Sequence, residues 1–253
     1  RVDLMIVPGI VSATFKTRSV EDVLSITKKA GLAAIEWSEN HHIPKGDLAF
    51  AERVSSLTKE SGLEIAGYGS YYRLGQGMDI RPSIDTALAL GTNNVRIWAG
   101  GKASDDLERG ERDSLISELR EAVSIAERNK VVLNLEWHKN TLTDKNQSGL
   151  DVLSSLSSPY LRTLWQPTQA LSFEERARGL EMILPYLSYL HVYYWDGSGR
   201  RPFEEGLDHW RKYFSILDEE KKYYALLEFV LGDSEEQFEK DAATLLEMLQ
   251  KGV

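Results

Sequence analysis

The sequence contains no cysteine. Disulfides, thiolate zinc sites and cysteine nucleophiles are therefore excluded. It also lacks any apolar run near the roughly 18 residues that a membrane span requires. No basic segment followed by an apolar leader is visible, which sets the expectation of a cytoplasmic protein without a membrane partner. The 39 acidic residues outnumber the 30 basic ones, giving a net charge of −9. That balance speaks against a nucleic-acid partner, because phosphate binding requires a basic face. Glycine-rich signatures are incomplete. Gly100-Gly101-Lys102-Ala103-Ser104 lacks the spacing of a phosphate loop, and Gly67-x-Gly69 lacks the third glycine of a dinucleotide fingerprint. No G-x-S-x-G elbow occurs, so a serine hydrolase of that type has no support.

What is present is a repeat of helix-to-strand joints. Gly31, Gly62 and Gly91 each follow a helix-like segment and precede an apolar run, at intervals of 31 and 29 residues. Glycine just past a helix is the expected left-handed cap, and a βα unit takes about 30 residues. Asn129 marks a fourth joint of the same kind. Ser19-x-x-Asp22, Ser172-x-x-Glu175 and Ser234-x-x-Gln237 read as helix starts. Phe238, Ala242, Leu245 and Leu249 share one helical face, as do Leu115, Leu119, Ala122 and Ala126. Strands are expected near 10–15, 33–37, 64–68, 94–98, 131–136, 161–166, 187–193 and 223–229, each followed by a helix. Eight such units in a chain of 253 residues predict a single TIM (β/α)8 barrel over residues 1–253. A doubly wound sheet is the rival, but its glycine-rich first turn is missing.

The chemistry gathers at the ends of the last four strands. Each runs apolar and then places a polar residue: Glu136 in LNLEWH, Gln166 in LWQP, His191 in YLHVYYW and Glu228 in ALLEFV. A buried carboxylate is costly unless a proton, a cation or a metal meets it. Alone, each residue reads as an ion-pair partner or a hydrogen-bonded core group. On four consecutive barrel strands they share one rim, where TIM-barrel active sites sit. Two carboxylates, an amide oxygen and an imidazole suit a divalent cation such as Mn2+, Mg2+, Co2+ or Zn2+.

Several stretches resemble the xylose isomerase-like TIM barrels of the sugar phosphate isomerase/epimerase family. They are AGLAAIEWSENHHIPKGD at 30–47, YGSYYRLG at 68–75, LGTNNVRIWAGG at 90–101, LEWHKNTLTD at 135–144, HVYYWDGSGRRPFEEG at 191–206 and LLEFV at 226–230. The resemblance implies a metal held by Glu136, Gln166, His191 and Glu228, with Glu136 and Glu228 also moving protons. The family's sixth strand usually carries Asp with a His three residues on; here Gln166 and Gln169 stand in those places. The ligand set thus loses one negative charge. The resemblance further implies a sugar substrate, bound by Arg201 after the seventh strand and by a shell of His138, Gln169, Trp37, Tyr71 and Trp98. Glu36 and His42 would support the site from behind. The expected reaction is isomerisation or epimerisation of a small keto sugar or sugar phosphate through an enediolate. The alternatives are a lyase or hydrolase-like reaction on a 3-keto glycoside, or a sugar-binding barrel without catalysis. The family's habit of forming dimers and tetramers makes a homo-oligomer an expectation as well.

Overall fold

The computed structural model describes residues 5–252. Its strands are β1 Met5–Val11, β2 Ala34–Ser38, β3 Glu64–Arg73, β4 Asn94–Trp98, β5 Val132–Glu136, β6 Leu161–Trp165, β7 Leu187–Val192, β8 Tyr194–Asp196, β9 Gly199–Arg201 and β10 Lys222–Leu227. Eight of them close into a parallel barrel in the order β1, β2, β3, β4, β5, β6, β7, β10. β8 and β9 form a separate antiparallel hairpin. The helices are α1 Val20–Lys29, α2 Leu48–Glu60, α3 Arg81–Leu90, α4 Arg109–Arg128, α5 Asn146–Ser154, α6 Phe173–Ile183, α7 Leu207–Phe214 and α8 Glu235–Lys251. None among the described residues is long and apolar enough to cross a membrane.

The helix starts follow the sequence. Ser19 with Asp22, and Ser172 with Glu175, form reciprocal capping boxes. Ser234 accepts from the Gln237 backbone N–H, while the Gln237 side chain bonds Asp241 instead. Gly31, Gly62 and Gly91 all have positive φ, as a left-handed cap requires. At the fourth joint the left-handed residue is Lys130 at φ 55°, one place after the expected Asn129.

The first strand departs most from expectation: it is Met5–Val11 rather than 10–15, and Ser12–Phe15 is a 3-10 turn. Pro8-Gly9 suggests a break, yet both residues sit in the ladder. Pro8 lacks only a donor, and its carbonyl accepts from Ala33 N at 2.8 Å. Gly9 is required by a close approach, since a Cβ there would stand 2.3 Å from the Ala34 carbonyl oxygen.

Two apolar layers result. Between strands and helices lies the main core, to which α8 contributes Phe238, Ala242, Leu245 and Met248. Inside the barrel a smaller cluster of Val11, Ala34, Ala66, Leu164, Tyr189 and Leu226 plugs the lower half. The C-terminal mouth above this plug is left to polar residues.

Candidate active site

Strand alternation carries Glu36, Arg96, Glu136 and His191 into the barrel mouth, all buried. Gln166 follows the end of β6 and Glu228 the end of β10; the Glu228 N–H still donates to the Val192 carbonyl, at 3.0 Å. β3 supplies glycine where bulk would intrude. A Cβ on Gly69 would lie 3.3 Å from Glu36 Oε1 and 3.5 Å from Arg96 Cζ.

Two charge clusters fill the mouth. In the first, Arg96 Nη1 stands 3.2 Å from Glu136 Oε2. Trp98 Nε1 donates to the same oxygen at 2.8 Å, and Gln166 Nε2 donates to Glu136 Oε1 at 3.0 Å. Gln166 Nε2 also reaches the Trp137 carbonyl at 2.9 Å. Arg96 is held by the Ser70 carbonyl at 2.9 Å and lies 4.4 Å over the Trp98 ring. In the second cluster, His191 stands between two carboxylates. Nε2 lies 3.2 Å from Glu36 Oε1, and Nδ1 lies 3.1 Å from Glu228 Oε2, neither in hydrogen-bond alignment. Tyr189 OH donates to the other Glu36 oxygen at 2.5 Å.

Burial by itself would push the His191 pKa down, but Glu36 and Glu228 outweigh it and raise it to about 10. For Glu36, burial raises the pKa; the facing charges of His191 and Arg96 prevail and hold it below the usual carboxylate value. Burial works against the Arg96 charge, yet Glu136 and Glu36 keep its pKa raised.

The four residues expected to ring a metal stand at the mouth, arranged differently from a simple ring. Among the described residues, no three His, Asp or Glu side chains stand together closely enough to hold a metal by themselves. Gln166, His191 and Glu228 nonetheless offer donors that suit one: Gln166 Oε1, His191 Nδ1 and Glu228 Oε2 are buried and have no hydrogen-bond partner. Glu136 differs, because both its oxygens already accept hydrogen bonds. By chemistry the set fits a divalent ion, with Gln166 as the neutral member and the His191 proton to be displaced on binding.

The residues expected to bind substrate divide. His138 and Gln169 line a cavity of about 740 Å³ that opens beside Gln166. Trp98 lies at the mouth on Glu136, with Tyr71 packed edge-on to it at 4.9 Å. Trp37 corrects the expectation: it is fully buried among the helices and donates to Thr58 Oγ1 of α2 at 3.2 Å. Glu36 faces inward, so its neighbour must face out. Arg201 belongs to the β8–β9 hairpin, where its guanidinium forks onto Glu205 at 2.8 and 2.9 Å rather than lining the cavity. His42 also turns aside, bonding Ser12 Oγ at 2.9 Å and the Arg18 carbonyl at 3.1 Å.

Sequence reasoning passed over Arg96 and Tyr189. The signal for Arg96 was the one used for Glu136: a charge inside a short apolar strand, NVRIW, demands a partner. The hairpin could have been read from Asp196-Gly197-Ser198-Gly199 between two β-prone flanks.

The chain belongs to the xylose isomerase-like TIM barrel family, which it matches over residues 24–251. One relative, the 3-dehydroshikimate dehydratase of Bacillus anthracis, is 23% identical over 188 residues, 68% of this chain. The match spans 65% of that enzyme's length. The structure of the probable 3-DHS dehydratase of Bacillus anthracis superposes with a TM-score of 0.79 at 19% identity, covering 96% of this chain and 99% of that one. The 3-keto-D-glucoside 4-epimerase of E. coli gives 0.71 at 14% identity, over 96% and 99%. An L-ribulose 3-epimerase gives 0.68 at 16%, over 98% and 95%. At these identities the likenesses show a shared fold.

Proposed function

We propose that the protein is a sugar isomerase or epimerase that enolises a keto sugar. The observation that carries this reading is the pair of carboxylates Glu136 and Glu228 in one buried mouth, differently held. Glu136 is fixed through both oxygens by Arg96, Trp98 and Gln166. Glu228 keeps Oε2 without a hydrogen-bond partner and faces a cation, His191. Glu228 is therefore the side chain free to take a proton from the carbon beside a ketone; Glu136, after taking up a proton from solvent, would deliver that one from another direction, and Glu228 would release its own to solvent. Arg96 supplies positive charge where negative charge develops on the substrate oxygens, and His191 does so only while no metal displaces its proton. Gln166, His191 and Glu228, with Glu136, would hold a divalent ion. When bound, it would supply Lewis-acid polarisation of the carbonyl.

A second reading has an observation of its own. The relative from Bacillus anthracis is a dehydratase. In that reaction class the same proton is removed and a leaving group then departs from the next carbon. A lyase acting on a 3-keto glycoside would use the same first step here.

The test is proton NMR in D2O with a panel of ketoses and 3-keto glycosides, with and without Mn2+. Exchange of the C–H next to the ketone is the expected signal. Glu228→Gln should slow it by about 10²–10⁴-fold. No exchange with any ketone, under either metal condition, would remove the enolisation reading.

A further inference from the structure

The two carboxylates of the mouth are aimed by different means. Glu136 receives Arg96, Trp98 and Gln166 on its oxygens. Glu228 Oε2 faces His191 Nδ1 at 3.1 Å and has no hydrogen-bond partner. A carboxylate without fixed donors takes its direction from its backbone, and the backbone here is unusual. The Glu228 N–H bonds the Val192 carbonyl, and the next residue, Phe229, turns left-handed at φ 54°. Gly232 at 70° and Asp233 at 50° follow in the same region, so the return from β10 to α8 is tightly folded. Steric crowding at Cβ disfavours this conformation for phenylalanine, and it persists only where the surroundings impose it.

The β8–β9 hairpin imposes it. Trp195 and Arg200 stand directly opposite each other in the hairpin, which puts both side chains on one face. The Phe229 ring lies against that pair. Trp195 meets it edge-on at 5.3 Å, and the Arg200 guanidinium stands 5.3 Å from its centroid. Tyr193, just before the hairpin, meets it edge-on at 5.0 Å. Arg200 Nη1 also donates to the Val230 carbonyl at 3.4 Å and to Asp233 Oδ1 at 2.7 Å. The base of the hairpin is fixed in turn. Tyr193 OH donates to the Pro167 carbonyl at 3.0 Å, and Trp210 Nε1 donates to the Tyr193 carbonyl at 2.9 Å. A Cβ on Gly206 would lie 2.4 Å from the Tyr194 ring, so the hairpin is seated closely on its neighbour. The Asp233 side chain is 71% exposed, and its ion pair with Arg200 therefore adds little stability. The contacts to the ring and the carbonyl are what hold the turn in shape.

We propose that Arg200 is a positioning residue: with Trp195 it clamps the left-handed Phe229 and so fixes the direction in which Glu228 enters the barrel mouth. Arg200 is absent from the cavity wall, so it acts through Phe229 and not on a substrate. Glu228 is one peptide bond from the clamp. Relaxation of the turn moves its carboxylate, and a shift of about 1 Å at a reacting group costs about 10²-fold in rate.

The catalytic half of this assignment rests on Glu228 as the proton-taking group, whereas the clamp does not, and two readouts separate them. The first is amide hydrogen exchange at Glu228, compared with Leu135 in β5. Arg200→Met is expected to speed exchange at Glu228 by at least about tenfold and to leave Leu135 unchanged. The second is the ketone assay in D2O, where the same variant should lower kcat by about 10²-fold and change KM by less than about twofold. Arg200→Lys keeps a cation against the ring and should recover most of both effects. Phe229→Gly adopts the turn without strain but leaves the hairpin nothing to hold, so it should behave like Arg200→Met. Asp233→Asn removes the ion pair alone and should change neither readout. If the Glu228 amide stays protected in Arg200→Met, or is exposed while kcat is unchanged, the proposal is wrong. It is equally wrong if Asp233→Asn reproduces the loss, because a surface ion pair would then explain it. If the amide is exposed as expected but the parent protein exchanges no ketone, the clamp stands and the enolisation falls.

Discussion

Arg96 and Glu136 reach across neighbouring strands to form an ion pair of 3.2 Å in the barrel mouth, with side chains only 7% and 6% exposed. A buried pair of this kind contributes little net stability, but removing one partner leaves the other uncompensated. Arg96 also serves Glu36, whose field helps keep the guanidinium charged. We expect Arg96→Met to lower unfolding stability by about 3–5 kcal/mol in urea titrations. The double variant Arg96→Met/Glu136→Gln should recover part of that loss. Equal stability of the two variants would mean that the pair is not the source of the effect.

Gln166 gives a second expectation. Gln166→Glu is nearly isosteric, but it replaces the donor that serves Glu136 Oε1 at 3.0 Å and the Trp137 carbonyl at 2.9 Å with a carboxylate oxygen. Without metal, two like charges then crowd one buried spot, and Tm should fall. With Mn2+ in excess, the added negative ligand should bind the ion more tightly. The Tm increase produced by Mn2+ over EDTA should therefore be larger in Gln166→Glu than in the parent protein. A smaller or equal increase would remove Gln166 from the ligand set.

Much of this was legible before any coordinates. The glycine spacing marked the βα period because Gly31, Gly62 and Gly91 each cap a helix in the left-handed region. Glu136, Gln166, His191 and Glu228 were legible because a polar group ending an apolar strand has few places to go but the barrel mouth. The partners were harder to see. That His191 would stand between Glu36 and Glu228, or that Tyr189 would bond Glu36 across 153 residues, follows from barrel closure and not from local pattern. Trp37 was misplaced although the period-2 rule settles it: with Glu36 pointing inward, Trp37 points outward.

His42 provides the pH dependence. Its Nε2 faces the Arg18 carbonyl at 3.1 Å and so carries the proton, leaving Nδ1 to accept from Ser12. Burial lowers its pKa below the ordinary 6.5, against the opposing hydrogen bond to Arg18. A depressed folded pKa means that the unfolded chain binds the proton first. The stabilisation is complete above the unfolded value of 6.5 and is lost as pH falls through the folded value. Urea midpoints should therefore begin to drop as pH falls below about 6.5. His42→Gln should flatten that part of the profile, and an unchanged slope would assign the acid loss to other groups.

The last prediction sets two opposing magnitudes against each other at two helical glycines. Replacing an interior helix glycine by alanine gains about 0.8–1 kcal/mol from propensity alone. At Gly110, in the first turn of α4, a Cβ would meet nothing within 4 Å, so Gly110→Ala should stabilise, by less than the interior amount. At Gly149 in α5 the same Cβ would lie 2.2 Å from Trp137 Cη2 and 2.5 Å from Cζ3. Overpacking a rigid indole costs about 1–3 kcal/mol, which exceeds the propensity gain. Trp137 has little room to yield, because it is 1% exposed and its carbonyl anchors Gln166 at 2.9 Å. Gly149→Ala should therefore destabilise while Gly110→Ala stabilises, and denaturant midpoints measured side by side read the difference in sign. A Gly149→Ala variant as stable as the parent would show that the indole moves freely, and the rigid support inferred for Gln166 would go with it.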